Sequence, residues 1–199
     1  PKLVVMETNF FLTSLRKKRI LLAKYLPFFN YHELYKEYLL YPKSADEWKG
    51  FSATNQITPY TGTLDYMTTD NSYYPVDEWT LDYMRQVKEI LDQHGTKLLM
   101  VSAPNPLNWT TSKHNTLQEW CDQNNVTYID YNLKPEELNI NWLTDSRDGG
   151  DHLNYSGSVK FMNVLGKYLQ ENYELTDHRN DPAYTKWNED YKSIFGGAQ

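Results

Sequence analysis

Residues 145 to 157 read Asp-Ser-Arg-Asp-Gly-Gly-Asp-His-Leu-Asn-Tyr-Ser-Gly, the stretch of this chain best equipped to move a proton. It holds three acids (Asp145, Asp148, Asp151), one histidine (His152) and two adjacent glycines. An imidazole relays protons near neutral pH when a carboxylate fixes its tautomer and stabilises the imidazolium that forms. An acid three or four residues upstream, in a turn loosened by glycine, can reach back to the ring. Asp148 stands four residues before His152, Asp151 is adjacent to it, and Asp145 is seven away. Of the five histidines, His152 is the one with acids packed around it on a predicted functional rim. A surface or helix-capping histidine is the plainer alternative. His152, Asp148 and Asp151 together could hold a hard cation, but structural zinc sites use more His or Cys ligands. Neither a metal nor another cofactor is expected.

Other reactive side chains are scarcer. Ser102 follows an apolar run without a glycine-flanked turn, and reads as a pocket or structural residue rather than a nucleophile. Cys121 is the single cysteine, so no internal disulfide can form; its helical-looking surroundings, Leu117-Gln118-Glu119-Trp120, predict a buried, inert thiol. No strand opens into a Gly-rich phosphate loop, which argues against a phosphate or flavin site. The net charge of −6 argues against non-specific nucleic-acid binding, which needs a basic face. The basic run Arg16 to Arg19 reads as the solvated side of a helix. Seventeen tyrosines and six tryptophans supply flat apolar faces with polar tips, suited to sugar rings as well as to an aromatic core. Asn-x-Ser/Thr sequons fall at Asn108, Asn125 and Asn154, the last inside the acid and histidine loop.

Hydrophobic period indicates which elements must position these groups. Leu3-Val4-Val5-Met6 is an apolar run without polar alternation, as in a strand buried on both faces, and it ends at Glu7-Thr8-Asn9. Residues 12 to 41 read as helical, in two pieces broken near Pro27, and residues 42 to 75 as a long excursion without period. Leu81, Met84, Val87 and Leu91 mark a helix beginning at Asp77 and stopping at Gly95. Lys97 to Ser102 predicts a second buried strand, opening into Ala103-Pro104-Asn105-Pro106. A helix over about 113–123 leads to a third strand, Val126 to Asp130. Met162, Leu165 and Leu169 predict the inner stripe of a helix starting near Ser156, and no period is legible after Glu174.

This alternation predicts an α/β domain with a parallel sheet and helices on its faces, spanning residues 1–175 with a tail at 176–199. Ligands sit outside the carboxyl ends of such strands. Asn9, Ser102 to Asn105, Asp130 and the loop before the last helix should therefore share one rim. The length of 199 residues suits one domain and is short for two. No run approaches the ~20 apolar residues of a membrane-spanning helix, and no signal peptide opens the sequence.

The loop and its helix resemble a known family. Asp148-Gly149-Gly150-Asp151-His152-Leu153-Asn154-Tyr155-Ser156-Gly157 is similar to the last conserved block of SGNH/GDSL hydrolases, which supplies the Asp and the His of a Ser-His-Asp triad. Pro1 to Asn9 is similar to that family's third strand, whose terminal Asn donates its side-chain amide to the oxyanion hole. Thr96 to Pro106 resembles the fourth strand with its proline-containing exit, and Val126 to Tyr131 the fifth. The resemblance covers roughly residues 1–10 and 76–172. One departure is that the family places its acid three residues before the histidine, where this chain has Gly149. Asp148 is the first choice for that role, with Asp151 and Asp145 as alternatives. A second is that the family's serine and a glycine oxyanion donor would precede Pro1, so these residues alone are not expected to catalyse efficiently.

The resemblance implies a three-layer α/β/α fold of flavodoxin-like topology, here lacking its first strands. It also implies acyl transfer by an upstream serine, with His152 as base, Asp148 holding the ring and Asn9 in the oxyanion hole. Ser102, Asn105 and Tyr155 would stand on the substrate side. The aromatic-rich, membrane-tethered polysaccharide O-acetyltransferases and esterases of bacterial surfaces look most similar. They imply an extracytoplasmic protein, with its signal or anchor outside these residues, and an acylated glycan or another small ester as substrate. A non-catalytic carbohydrate-binding or structural module of the same fold is the alternative. The strand at residues 3 to 6 would lack an inner neighbour. Its edge is expected to be covered by a second copy, another polypeptide or the 42–75 excursion.

Overall fold

The computed structural model describes residues 1–12 and 54–195. The helical reading of residues 12 to 41 and the first part of the excursion thus lie almost wholly outside the described residues. Within them the chain divides into two compact units, one formed by residues 1–12 and 54–164, the other by residues 165–195.

The first unit is built on three parallel strands: β1 (Leu3–Glu7), β2 (Lys97–Ser102) and β3 (Thr127–Asp130), in that spatial order. Leu3 to Glu7 align with Lys97 to Val101, and Leu99 to Ser102 with Thr127 to Asp130. The protein is therefore of the α/β class. The central strand shows why an unbroken apolar run forms here, since every residue from Leu98 to Ser102 is buried. Parallel pairing needs a crossover rather than a hairpin. Between β2 and β3 that crossover is helix α3 (Thr111–Gln123), while α1 (Asn9–Leu12) directly follows β1.

Helix α2 (Glu78–Gln93) begins and ends as its sequence predicts. The Asp77 side chain accepts from the Thr80 amide at its start, and Gly95 adopts a φ of +62° beyond its end. Thr110 caps α3 in the same way by accepting from the Lys113 amide. Met84 from α2, Leu98 and Met100 from β2, and Leu117, Trp120 and Cys121 from α3 share one core with Phe11, Leu12, Trp109 and Val126. Burial pushes the Cys121 thiol up to about 12, with the charge of Asp122 adding to the effect, so the thiol stays protonated as expected.

After β3 come a 3-10 turn (Tyr131–Leu133), the short α4 (Pro135–Leu138), and then the long α5 (Tyr155–Asn172). Its inner stripe differs from the expected one. Met162 is exposed, whereas Leu165 is buried and Phe161 meets the Tyr131 ring edge-on at 5.3 Å. A spacing of four along α5 thus passes through Phe161 and Leu165, leaving Met162 a further 100° round the helix. The second unit contains the rest of α5, a 3-10 turn (Pro182–Tyr184) and α6 (Thr185–Phe195), a helix in the stretch where no period was legible.

The described part of the excursion, residues 54–75, has no regular secondary structure. The Thr58 amide donates to the Ser146 carbonyl, the Tyr60 amide to the Trp142 carbonyl, and the Tyr66 hydroxyl to Asn132 Oδ1. Among the described residues no strand pairs with the outer side of β1, and Val5 there is exposed.

Candidate functional site

The loop from Ser146 to Leu153 folds as a closed turn. Ser146 and Leu153 form an antiparallel bridge, and the Arg147 amide donates to the His152 carbonyl at 3.1 Å. Between them Gly149 and Gly150 take φ values of +79° and +104°, which side-chain-bearing residues rarely adopt. Gly150 has a second constraint, because a Cβ there would lie 2.7 Å from the Tyr60 ring. Its amide donates to Ser146 Oγ and the Gly149 amide to the Thr58 carbonyl.

The turn brings Asp148 against His152. One carboxylate oxygen accepts from the His152 amide at 2.7 Å, and the other lies 2.6 Å from His152 Nδ1. Burial alone would raise the Asp148 carboxyl. The hydrogen bonds from the His152 backbone and ring, together with the nearby charges of His152 and Arg147, outweigh it and hold the group below the ordinary carboxylate value. An ionised carboxylate only accepts, so the neutral ring carries its proton on Nδ1 and leaves the Nε2 lone pair for another group. The His152 side chain is 53% exposed, so a reactant can approach it.

The other two acids are distributed differently. Asp151 places one oxygen 3.5 Å from His152 Nδ1, and its other oxygen accepts from the side-chain amides of Asn105 and Asn108. Asp145 is buried and turned to other partners: Lys160 Nζ at 2.6 Å and the Asn141 amide at 2.8 Å. Burial would raise its carboxyl, but the bonds from Lys160, Asn141 and Ser156 lower it below the ordinary value. In this arrangement Asp145 ties the loop to α5 and has no described bond to the His152 ring.

The rest of the motif has a structural explanation. Asn154 caps α5, accepting from the Gly157 amide, while its own amide donates to the carbonyls of Thr144 and Gln56. A Cβ on Gly157 would stand 2.6 Å from the Asp145 carbonyl oxygen, so that position has room only for glycine.

The remaining expected residues are placed as follows. Asn9 follows Thr8 at the carboxyl end of β1, and its backbone amide donates to Glu7 Oε2. Ser102 is fully buried and bonded to both the Thr8 hydroxyl and the Tyr128 hydroxyl. Asn105 is buried and holds Asp151. Tyr155 opens α5 half-buried, with its amide on the Thr54 carbonyl. Asp148, Asp151, His152 and Asn105 thus form one cluster, while Ser102 and Asp145 serve the framework. Asp148, Asp151 and His152 each present one ligand atom within 4.8 Å of the others.

Sequence reasoning missed a second pair of this kind. His114 Nδ1 lies 2.9 Å from Asp130 Oδ2, at the carboxyl end of β3, and the His114 ring stacks on Tyr128. Asp130 also accepts from Trp109 Nε1 and from the amide and side chain of Asn132. Nothing in the local spacing announces it, because the partners lie 16 residues apart across the β2–β3 crossover. Tyr60, Asn108 and Asn132 were missed for the same reason.

Comparisons with protein-family models, curated proteins and solved structures find no match to this chain.

Proposed function

We propose that this chain carries the acid and base half of an acyl-transfer site of the SGNH/GDSL type, on a three-layer α/β/α fold. The site would serve as an esterase or O-acyltransferase on acylated carbohydrate at a bacterial cell surface. The observation that carries this reading is the 2.6 Å contact between Asp148 and His152 Nδ1, with the ring half-open to solvent.

In this mechanism an upstream serine presents its hydroxyl to His152 Nε2. The ring takes the proton as oxygen attacks the ester carbonyl, and the Asp148 carboxylate stabilises the imidazolium that results. Asn9, on the rim after β1, and backbone amides stabilise the tetrahedral oxyanion, where one donor is typically worth about 10²–10³ in rate. The proton returns to the departing alcohol and leaves an acyl-enzyme. Water or a sugar hydroxyl then takes the acyl group by the same steps in reverse.

One observation favours the second reading, a non-catalytic carbohydrate-binding module: among the described residues no serine hydroxyl bonds to the His152 ring, and Ser102 is committed elsewhere. Hydrolysis of p-nitrophenyl acetate by a protein that carries these residues together with the proposed serine separates the two. Enzymatic action predicts that His152→Ala lowers turnover by about 10³-fold or more. Equal turnover by the wild type and this variant ends the proposal.

A further inference from the structure

Two carboxylates face the ring nitrogen that the acyl-transfer reading assigns to Asp148 alone. Asp148 Oδ2 is 2.6 Å from His152 Nδ1 and Asp151 Oδ2 is 3.5 Å from it. Their anchorage differs. Asp148 belongs to the glycine turn and spends its other oxygen on the amide of His152 itself. Asp151 spends its other oxygen on Nδ2 of Asn105 and Nδ2 of Asn108, both at 2.8 Å, and these residues belong to the loop that follows β2. Asn105 is in turn fixed: its amide donates to Asn132 Oδ1 and its Oδ1 accepts from the Asn108 amide. A carboxylate held by two such donors has little freedom left to lose when its other oxygen accepts a further hydrogen bond.

The geometry points to Asp151 as a positioning residue that ties the His152 turn to the carboxyl end of β2 and provides a second acceptor keeping the ring proton on Nδ1. An exposed pair such as Asp148 and His152 exchanges with water, and each opening releases the ring to its other tautomer. With Asp151 beside it, Nε2 stays available as a base through those openings. The purpose of this device rests on the acyl-transfer reading, but its test does not.

The test is the imidazole 15N spectrum of His152 in the 199-residue protein at about pH 9, well above the ordinary imidazole range. It compares wild type, D148A, D151N and D148A/D151N. Asparagine at 151 can still accept from Asn105 and Asn108, so D151N removes the charge and keeps the tie. The wild type and both single variants are expected to show the proton on Nδ1, and the double variant a mixture with the proton largely on Nε2. A D148A spectrum already matching that of the double variant overturns the inference. Should D148A not fold, D151N alone decides: the His152 Nδ1 resonance is expected to shift, and an unmoved resonance refutes Asp151 as an acceptor. Hydrolysis that survives His152→Ala would refute the acyl-transfer reading and leave these spectra unaltered, so the two failures are distinguishable.

Discussion

Two histidine–carboxylate pairs stand at the carboxyl end of this sheet, and they differ in everything but chemistry. Asp148 and His152 sit four residues apart in one turn, with side chains 36% and 53% exposed. Asp130 and His114 are 16 residues apart, joined across the β2–β3 crossover, and their side chains are 1% and 17% exposed. The buried carboxylate has four described donors and no capacity to spare. The exposed one has all its described partners, the guanidinium of Arg147 included, within its own turn. A saturated buried pair holds structure, because losing one member strands the others away from water. An open pair contributes little to stability and is free to do chemistry.

The most forceful way to break this contrast is to remove each acid. Asp130→Ala is expected to cost about 3 kcal/mol or more of unfolding free energy, since it strands Trp109 Nε1, the His114 ring and the Asn132 amides. Asp148→Ala is expected to cost no more than about 1 kcal/mol. Urea denaturation checks both, and equal losses would erase the distinction.

A smaller effect sharpens the account of the exposed turn. Gly149→Ala meets only its unfavourable φ, with nothing within 4 Å of the added carbon, and should cost about 1 kcal/mol. Gly150→Ala meets the Tyr60 ring as well and should cost about 2 kcal/mol or more. A double-mutant cycle with Tyr60→Ala should recover the difference as a coupling between the two sites.

The smallest expected effect is on acid stability. Asp145 and Asp148 both titrate below the ordinary carboxylate value in the folded protein. Their stabilisation is therefore complete above that ordinary value and is lost as pH falls through the lowered one. Asp145→Asn should flatten the fall of stability below about pH 4. Asp148→Asn should flatten it less, because solvent screens the more exposed group. Thermal melts between about pH 2 and pH 6 read both slopes.

The same contrast explains how much of the molecule was legible beforehand. The β2 strand could be read to the residue, because burial on both faces leaves a continuous apolar run bounded by Lys97 and Pro104. Helix α2 was legible from its period and from Asp77 and Gly95 at its ends. The Asp148–His152 pair could be read because both partners lie in one glycine turn. Asp148 could be ranked first among its three acids, but the reason Asp145 faces away could not be read: its partner is Lys160, a turn into a helix whose placement no spacing reports. Helix α6 offers no readable apolar stripe, because Trp187 and Tyr191, four residues apart among polar neighbours, are both exposed. Tyr60 was beyond reach: it comes from a stretch with no repeat to read, and its partners at Gly150 and Pro106 are chosen by the fold.

The amide nitrogens that hold the turn have a practical consequence for making the protein. Asn108 Nδ2 anchors Asp151, and Asn154 Nδ2 fastens the start of α5 to Thr144. Both nitrogens are the atoms to which a eukaryotic secretory pathway would attach an oligosaccharide, since each residue opens an Asn-x-Ser/Thr triplet. Material from such a host would carry a bulky substituent where the turn needs a small donor. Preparations from bacterial cells keep both nitrogens bare.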